Sequence, residues 1–336
     1  MSQVTGAGLT VVSCLGAEHR AAVLGERARA LIGREATLID MDPETLVAQA
    51  DPSSARILLT GWGAPRLERA VLDRLPELEL VVHAAGSIRD LVTDQVWARG
   101  IRVTTAASAN AVPVADFTVA QIVLCLKNAW RLALRSRDAR GPVRREGVRG
   151  ADGAVVGVVG LGLIGTLVAE RLRDTAPGVE VIAYDPFAPG ERCARLGVTR
   201  HDLGAVFSRS DVLTLHAPLT PATRQMIGRR ELERLPLRAS FINTARGGLV
   251  DHDALAAVLA ERGDLLALLD VTDPEPLPAG HRLAALDNVV LTPHIAGSLG
   301  TERERLGIAA AGEIARFAAG LPLRYEIDRE RLDLTA

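Results

Sequence analysis

The sequence predicts an α/β protein made of two parallel-sheet domains. Three observations point there. Short apolar segments alternate with helical ones from end to end, the pattern of repeated strand–helix units. The apolar segments are continuous rather than alternating, as in strands covered on both faces. A polar stretch rich in Gly and Arg, about 143–153, separates one such series from a second, and 336 residues suit roughly two domains.

Taken in order, LTVVSCL (9–15), ATLID (36–40), RILLTG (56–61), LELVVHAAG (78–86) and IRVTT (101–105) are predicted strands. Helical stretches such as 18–31 and 64–74 separate them, and one long helix is predicted over 112–137. The second series opens with AVVGVVG (154–160) and a helix over 166–174. It continues through the strands VEVIAYD (179–185), DVLTLH (211–216), SFIN (240–243), LLALLDV (265–271) and NVVLT (288–292). A last helix, 301–319, precedes a short tail.

Composition narrows the function classes. A hydrophobic share of 48% with 24% charged residues is that of a globular protein. No apolar run is expected to reach the roughly 18 residues needed to span a bilayer, and residues 1–10 lack the form of a signal peptide. The cytoplasm is therefore the expected location. A formal net charge of −2 gives no reason to expect nucleic acid or an anionic membrane as partner. The Arg-rich stretch 135–149 lacks interleaved aromatics and reads as a solvated connector or a subunit contact. Cys14, Cys125 and Cys193 lie in apolar surroundings, far apart, and read as buried thiols. Lys127 is the only lysine, set in the helical run LCLKNAW, which excludes a Schiff-base enzyme and a P-loop. No metal-ligand spacing is present, so no metal is expected.

Gly160-Leu161-Gly162-Leu163-Ile164-Gly165 fits GxGxxG with the required context, an apolar strand before it and a helix after it. Gly160 permits the tight turn, Gly162 lets backbone N–H groups approach a pyrophosphate, and Gly165 allows close packing of helix on strand. Asp185 ends the next strand, roughly 20 residues after the last glycine, where a carboxylate meets the adenosine ribose. Pro186 and Phe187 follow it in place of an arginine that could accept a 2′-phosphate. The expected cofactor is NAD rather than NADP.

Three later segments each end a strand: FINTARGGLVD (241–251), LLDVTDPEP (268–276) and LTPHIAGS (291–298). In an open parallel sheet ligands bind beyond such ends. Arg246 could clamp a carboxylate through two hydrogen bonds and polarise an adjacent keto oxygen. His294 could protonate a forming alkoxide at neutral pH, with Glu275 fixing its tautomer. Taken singly, His294 could equally be a core residue and Glu275 a loop carboxylate. His216 follows a strand without an acid partner and reads as structural, or as lining the cofactor site by its backbone.

Together, VGVVGLGLIG, AYDP, SDVLTLHAPLTPATRQMI, INTARGGLVD, LLDVTDPEP and LTPHIAGS resemble the D-2-hydroxyacid dehydrogenase family, closely over about 108–300 and less before. The resemblance implies two Rossmann- or flavodoxin-like domains, a discontinuous substrate domain (1–105 and 300–336) and an inserted NAD-binding domain (106–299), hinged near 105 and 300. It implies that Arg246 orients the substrate, Glu275 is the carboxylate partner and His294 the acid/base. Gly160, Gly162, Leu163, Ile164, Gly165 and Asp185 match the cofactor loop and ribose carboxylate, while Thr244, Ala245 and Asp270 match residues lining the nicotinamide half of the site. It further implies a homodimer and a small 2-keto or 2-hydroxy acid as substrate. The turn Gly86-Ser87-Ile88 should present N–H groups to the substrate carboxylate, although the family often has Gly-x-Asp-Asn there and this chain continues Arg89-Asp90. Trp62 either walls the substrate pocket or packs its own loop. Asp116 stands where the family commonly has glutamate, and the connector 139–153 lacks a tryptophan often found there. Glutamate at 275 argues against formate, whose dehydrogenases carry glutamine there. Some relatives of this kind act as NAD(H)-sensing corepressors, the alternative function.

Overall fold

A computed structural model of the chain describes residues 8–48, 54–138, 143–145 and 147–329. Its contacts divide it into two units, Met1–Ala111 with Ser298–Thr335, and Val112–Gly297. In the Arg-rich connector, residues 139–142 and 146 lie outside the described residues.

The first unit is a five-stranded parallel sheet of β1 (Thr10–Cys14), β2 (Thr37–Asp40), β3 (Ile57–Thr60), β4 (Leu80–His83) and β5 (Arg102–Thr105), ordered β2-β1-β3-β4-β5. Registers pair Cys14 with Thr60, Thr60 with His83 and His83 with Thr105, so four strands end level. Successive side chains of a strand point to opposite faces. Val11, Ile57, Leu59, Leu80 and Val82 thus pack on one face, with Leu306, Ala310, Ala311 and Ile314 of the helix Glu304–Ala318. Val12, Leu58, Val81 and Val103 cover the other face with Leu67, Leu72 and Val96. The buried Glu313 carboxylate accepts the Arg324 and Tyr325 N–H groups, and Glu326 bridges to Thr104, so the last described segment joins this sheet.

The second unit is a seven-stranded parallel sheet of β6 (Val155–Val159), β7 (Glu180–Tyr184), β8 (Thr199–Arg200), β9 (Val212–Leu215), β10 (Ser240–Asn243), β11 (Leu266–Leu269) and β12 (Val289–Leu291). The order is β12-β11-β10-β9-β6-β7-β8. Strand order reverses on either side of β6, which places the switch point at the β6 carboxyl end. Phe207, Leu213, Leu215, Phe241 and Leu259 belong to one core, and Val156, Val158, Val168, Leu172 and Leu266 to the other.

Several expectations are corrected. The stretch 112–137 is two helices, Ala107–Leu126 and Ala129–Asp138, parted at Asn128, whose φ of 55° cannot continue a helix. Lys127 therefore sits exposed in the intervening turn and not within a helix. The stretch 64–74 keeps only the helix Arg69–Leu72, because Pro65 and Pro76 bound it closely. The stretch 18–31 breaks at Gly25 into Ala17–Val23 and Glu26–Gly33. The short, exposed β8 carries no apolar signal and was missed. Contrary to the expectation of no sufficiently long apolar run, helix Ala107–Leu126 is long and apolar enough to cross a membrane by length and composition. Its Ala115, Val119, Ile122 and Leu126 pack in the core of the second unit. All three cysteines are buried free thiols, as expected.

Gly307 is where helix Glu304–Ala318 touches helix Ala17–Val23: a Cβ there would lie 1.9 Å from the Val23 carbonyl oxygen. Gly307→Ala should force the helices apart and lower stability by about 1–3 kcal/mol, as overpacking does. Thermal unfolding followed by circular dichroism checks this, and an unchanged Tm would contradict the packing described.

Candidate active site

The glycine turn after β6 is built from close approaches. Gly160 has φ 96°, and a Cβ on it would stand 2.7 Å from the Ala217 nitrogen; one on Gly165 would stand 2.0 Å from the Gly160 carbonyl oxygen. Neither position admits a side chain. Above Gly162 no atom lies within 4 Å. The helix Leu163–Thr175 starts there without a side-chain cap, so its first-turn N–H groups face an open concavity suited to a phosphate. Leu163 and Ile164 form that first turn.

Asp185 ties this turn to the end of β7. One carboxylate oxygen accepts the Leu161 N–H at 2.7 Å, and the other accepts those of Phe187 and Ala188 at 2.8 and 2.9 Å. The oxygen that takes only the Leu161 N–H retains acceptor capacity for a ribose hydroxyl. The open cradle, the uncapped helix start and this carboxylate together fit a dinucleotide. His216 supports the turn from below: its N–H donates to the Val159 carbonyl, and its own carbonyl carbon is 2.8 Å from where a Gly160 Cβ would be. The ring is buried, with Nε2 3.0 Å from Thr214 Oγ1 and Nδ1 without a partner. Burial depresses its pKa to about 3.

The strands β10, β11 and β12 end in register, Asn243 beside Leu269 and Leu269 beside Leu291. Their carboxyl ends carry the three residues singled out for chemistry. Asn243 is fully buried. Its amide donates to the Arg246 carbonyl at 3.0 Å and accepts the Ala245 N–H at 3.0 Å, which shapes the Thr244-Ala245-Arg246 turn. Thr244 is anchored beneath by Thr118, with 3.0 Å between the hydroxyls. The half-buried Arg246 donates from Nη1 to the Ala245 carbonyl. At Gly247 a Cβ would be 2.0 Å from the Thr272 carbonyl carbon, so the Arg246 turn packs directly on the turn that leads to Glu275.

His294 depends on Asp270. This buried carboxylate accepts the Thr292 hydroxyl at 2.6 Å and the N–H groups of Ile295 and Ala296 at 2.8 and 2.9 Å. The Asp270 carbonyl also accepts the His294 N–H at 2.9 Å. These bonds hold His294 at φ 55°, a backbone region costly for a side chain with a Cβ. The consequence is a contact: His294 Nδ1 lies 2.6 Å from Glu275 Oε1, with both side chains partly exposed. Glu275 is flanked by cis bonds to Pro274's and its own following proline, Asp273–Pro274 and Glu275–Pro276.

In the first unit, the turn Gly86-Ser87-Ile88 follows β4. Thr105 Oγ1 donates to the Ala85 and Gly86 carbonyls, while the N–H groups of Gly86, Ser87 and Ile88 find no acceptor among the described residues. His83, at the end of β4, braces the turn. Its Nδ1 is 3.0 Å from Thr60 Oγ1, and the ring donates a hydrogen bond to the Ser87 backbone carbonyl. Burial pushes its pKa down to about 4 in spite of that bond. Trp62, after β3, meets the His19 ring edge-on at 5.5 Å between centroids, and the Arg303 guanidinium lies 5.6 Å from the Trp62 ring centre. Sequence reasoning missed Asn243, His83, His19 and Arg303. Asn243 had one available signal, its place at a strand end directly before the functional run.

Burial accounts for the cysteines as well, raising Cys14 to about 12 and Cys125 to about 11, so neither is a thiolate at neutral pH. Among the described residues no cluster could hold a metal.

Residues 119–296 match the family described as D-isomer specific 2-hydroxyacid dehydrogenase, NAD binding domain. The chain is 32% identical over 295 residues to a glyoxylate reductase of Aeropyrum pernix, covering 85% of this chain and 86% of that protein. It is 31% identical to an (S)-sulfolactate dehydrogenase of Chromohalobacter salexigens, covering 84% and 94%. It is also 30% identical to a D-3-phosphoglycerate dehydrogenase of Methanocaldococcus jannaschii over 86% of this chain, and spans about half (54%) of that longer protein. Among solved structures, a D-isomer specific 2-hydroxyacid dehydrogenase from Xanthobacter autotrophicus Py2, in complex with NADPH and MES, superposes with a TM-score of 0.76 at 26% identity, covering 97% and 99%. The NAD complex of the Lactobacillus delbrueckii enzyme shares the fold at a TM-score of 0.78 and 22% identity, covering 95% and 100%. This chain belongs to the D-isomer specific 2-hydroxyacid dehydrogenase family, and its second unit contains the family's NAD-binding domain.

Two predictions follow from these contacts. His83 and His216 have folded-state pKa values of about 4 and about 3, below the 6.5 of the unfolded chain. Between those limits the unfolded state binds more protons, so stability is full above pH 6.5 and falls as pH drops toward 4. The fall should approach about 1.4 kcal/mol per pH unit for each histidine, read from denaturant midpoints across pH 7 to 4. A flat profile would contradict their burial. Asp270→Ala removes three hydrogen bonds at once and should raise amide exchange across 292–296 by more than tenfold, measured by hydrogen–deuterium exchange.

Proposed function

We propose that the chain is an NAD-dependent D-2-hydroxyacid dehydrogenase interconverting a small 2-keto acid and its D-2-hydroxy acid. The observation that carries this is the 2.6 Å contact between His294 and Glu275 on the same sheet edge as Arg246. Bound NADH supplies the hydride. Arg246 orients the substrate carboxylate and polarises the keto oxygen. Glu275 holds His294 Nδ1, which fixes the tautomer and leaves Nε2 to deliver a proton to the oxygen as the carbonyl carbon takes the hydride. In the oxidative direction Nε2 receives that proton. The N–H groups of Gly86, Ser87 and Ile88, without an acceptor among the described residues, suit a carboxylate, and Thr244, Ala245 and Asp270 are assigned to the nicotinamide half of the site.

Asp185 favours NAD over NADP, since its carboxylate repels a 2′-phosphate and offers acceptors to free ribose hydroxyls. We further place the protein in the cytoplasm, which its three free thiols suit, and infer a homodimer. Support for self-association is the apolar helix Ala107–Leu126, which is only partly buried within the chain.

His294→Asn should lower kcat by about 10²–10⁴-fold, the range for general acid–base groups. Glu275→Gln should lower it less. Arg246→Ala should mainly raise KM. The test is NADH oxidation against a panel of 2-keto acids, with NADPH in parallel. Unchanged turnover in His294→Asn would overturn its role. Silence of the wild-type chain across the panel, with NADH binding intact, would favour an NAD(H)-sensing protein.

A further inference from the structure

We propose that Arg303, His19 and Trp62 form a receptor for a second anionic group on the substrate, so that the preferred acid carries a phosphate, sulfonate or carboxylate beyond its 2-keto carboxylate. This rests on the reading that the chain reduces 2-keto acids. The three residues meet beyond the carboxyl ends of β1 and β3, the strands on either side of which the order of the first sheet reverses. Open parallel sheets bind ligands in that crevice. The two loops are joined there, the Gly16 N–H donating to the Trp62 carbonyl at 2.9 Å.

Several arginines of this unit face carboxylates: Arg20 meets Asp42 at 2.6 Å, Arg29 meets Asp40 at 2.8 Å, and Arg56 meets Glu79 at 2.6 Å. Arg303 has no carboxylate partner among the described residues. Its Nη1 lies 3.3 Å from His19 Nδ1, and its Nε is buried without a partner. The neighbouring acids are engaged elsewhere, Glu302 accepting the Leu299 N–H and Glu304 lying against Gly25. His19 Nε2 is 3.0 Å from Glu18, so with that N–H donated to Glu18 its Nδ1 is left to accept from Arg303. The Trp62 ring steadies the guanidinium through its negative face. The result is a half-buried, oriented cation with donors to spare, and a planar guanidinium in that state is suited to an oxyanion.

The span is right for one small molecule. Neighbouring strands lie about 4.8 Å apart. The turn Gly86-Ser87-Ile88 after β4 is therefore one strand from the Trp62 turn and two from the start of the helix Ala17–Val23 that bears His19, roughly 5–10 Å. That is about the separation between the carboxylate and the terminal anion of a three-carbon acid substituted at C3.

The test compares glyoxylate and pyruvate with oxaloacetate, 3-sulfopyruvate and 3-phosphohydroxypyruvate, using the full chain, its Arg303→Met variant and Arg303→Lys. The wild-type chain should prefer at least one of the three anion-bearing acids. Arg303→Met should cut the ratio of kcat/KM for that acid over pyruvate by about 10–100-fold, the usual scale for a charged hydrogen bond. Arg303→Lys, which keeps the charge but loses the fork, should recover part of it. Calorimetric titration of the NAD-loaded chain with 3-phosphoglycerate and with D-lactate gives a readout free of turnover. Preference for the unsubstituted acids, or equal losses on both classes in Arg303→Met, would overturn the proposal. If no acid is reduced yet 3-phosphoglycerate binds more tightly than lactate and Arg303→Met abolishes the difference, the receptor stands and the reductase reading falls.

Discussion

The chemistry assigned to the second unit hangs on one buried carboxylate. Asp270 takes three donors from the segment Thr292–Ala296 and gives its carbonyl to the His294 N–H. A buried carboxylate satisfied so fully is a strong clamp, because its three side-chain hydrogen bonds involve a charged acceptor. It offsets the unfavourable backbone of His294, and in that backbone the imidazole reaches Glu275. The resemblance to known dehydrogenases marked Asp270 as a lining residue of the cofactor site. Its contacts add a mechanical role: it determines where the histidine points.

The same logic, side chain holding backbone holding side chain, recurs along both sheet edges. Asn243 shapes the turn that carries Arg246. Asp185 joins the glycine turn to the end of β7. His83 braces the turn after β4. Parallel sheets make this economical, since all strands deliver their loops to one edge, and a single polar residue at a strand end can reach the neighbouring loop. The functional positions are thereby fixed by rigid elements rather than by the loops alone.

Much of this was legible in the amino-acid order. Apolar runs marked eleven of the strands, most plainly those buried on both faces, which have no polar register to confuse them. The glycine turn, Arg246, Glu275 and His294 were legible because each closes such a run. What escaped was of two kinds. Helix breaks depend on one residue's φ, as at Asn128, or on flanking prolines, as around Arg69–Leu72, and periodicity carries little of that. Contacts between distant segments, such as Trp62 with Arg303 or Thr118 with Thr244, have no local signature. Trp62 stayed ambiguous between pocket wall and loop filler for that reason.

The near-absence of lysine has a consequence for how the surface responds to its surroundings. With Lys127 exposed in a helix–helix turn as the sole ε-amine, the ion pairs of both units are made by guanidinium groups, among them Arg102 with Glu326 and Arg229 with Glu261. Guanidinium stays protonated far above the pH at which amines discharge. Acylating reagents that neutralise amines therefore meet one lysine side chain here, and the rest of the positive charge is indifferent to them.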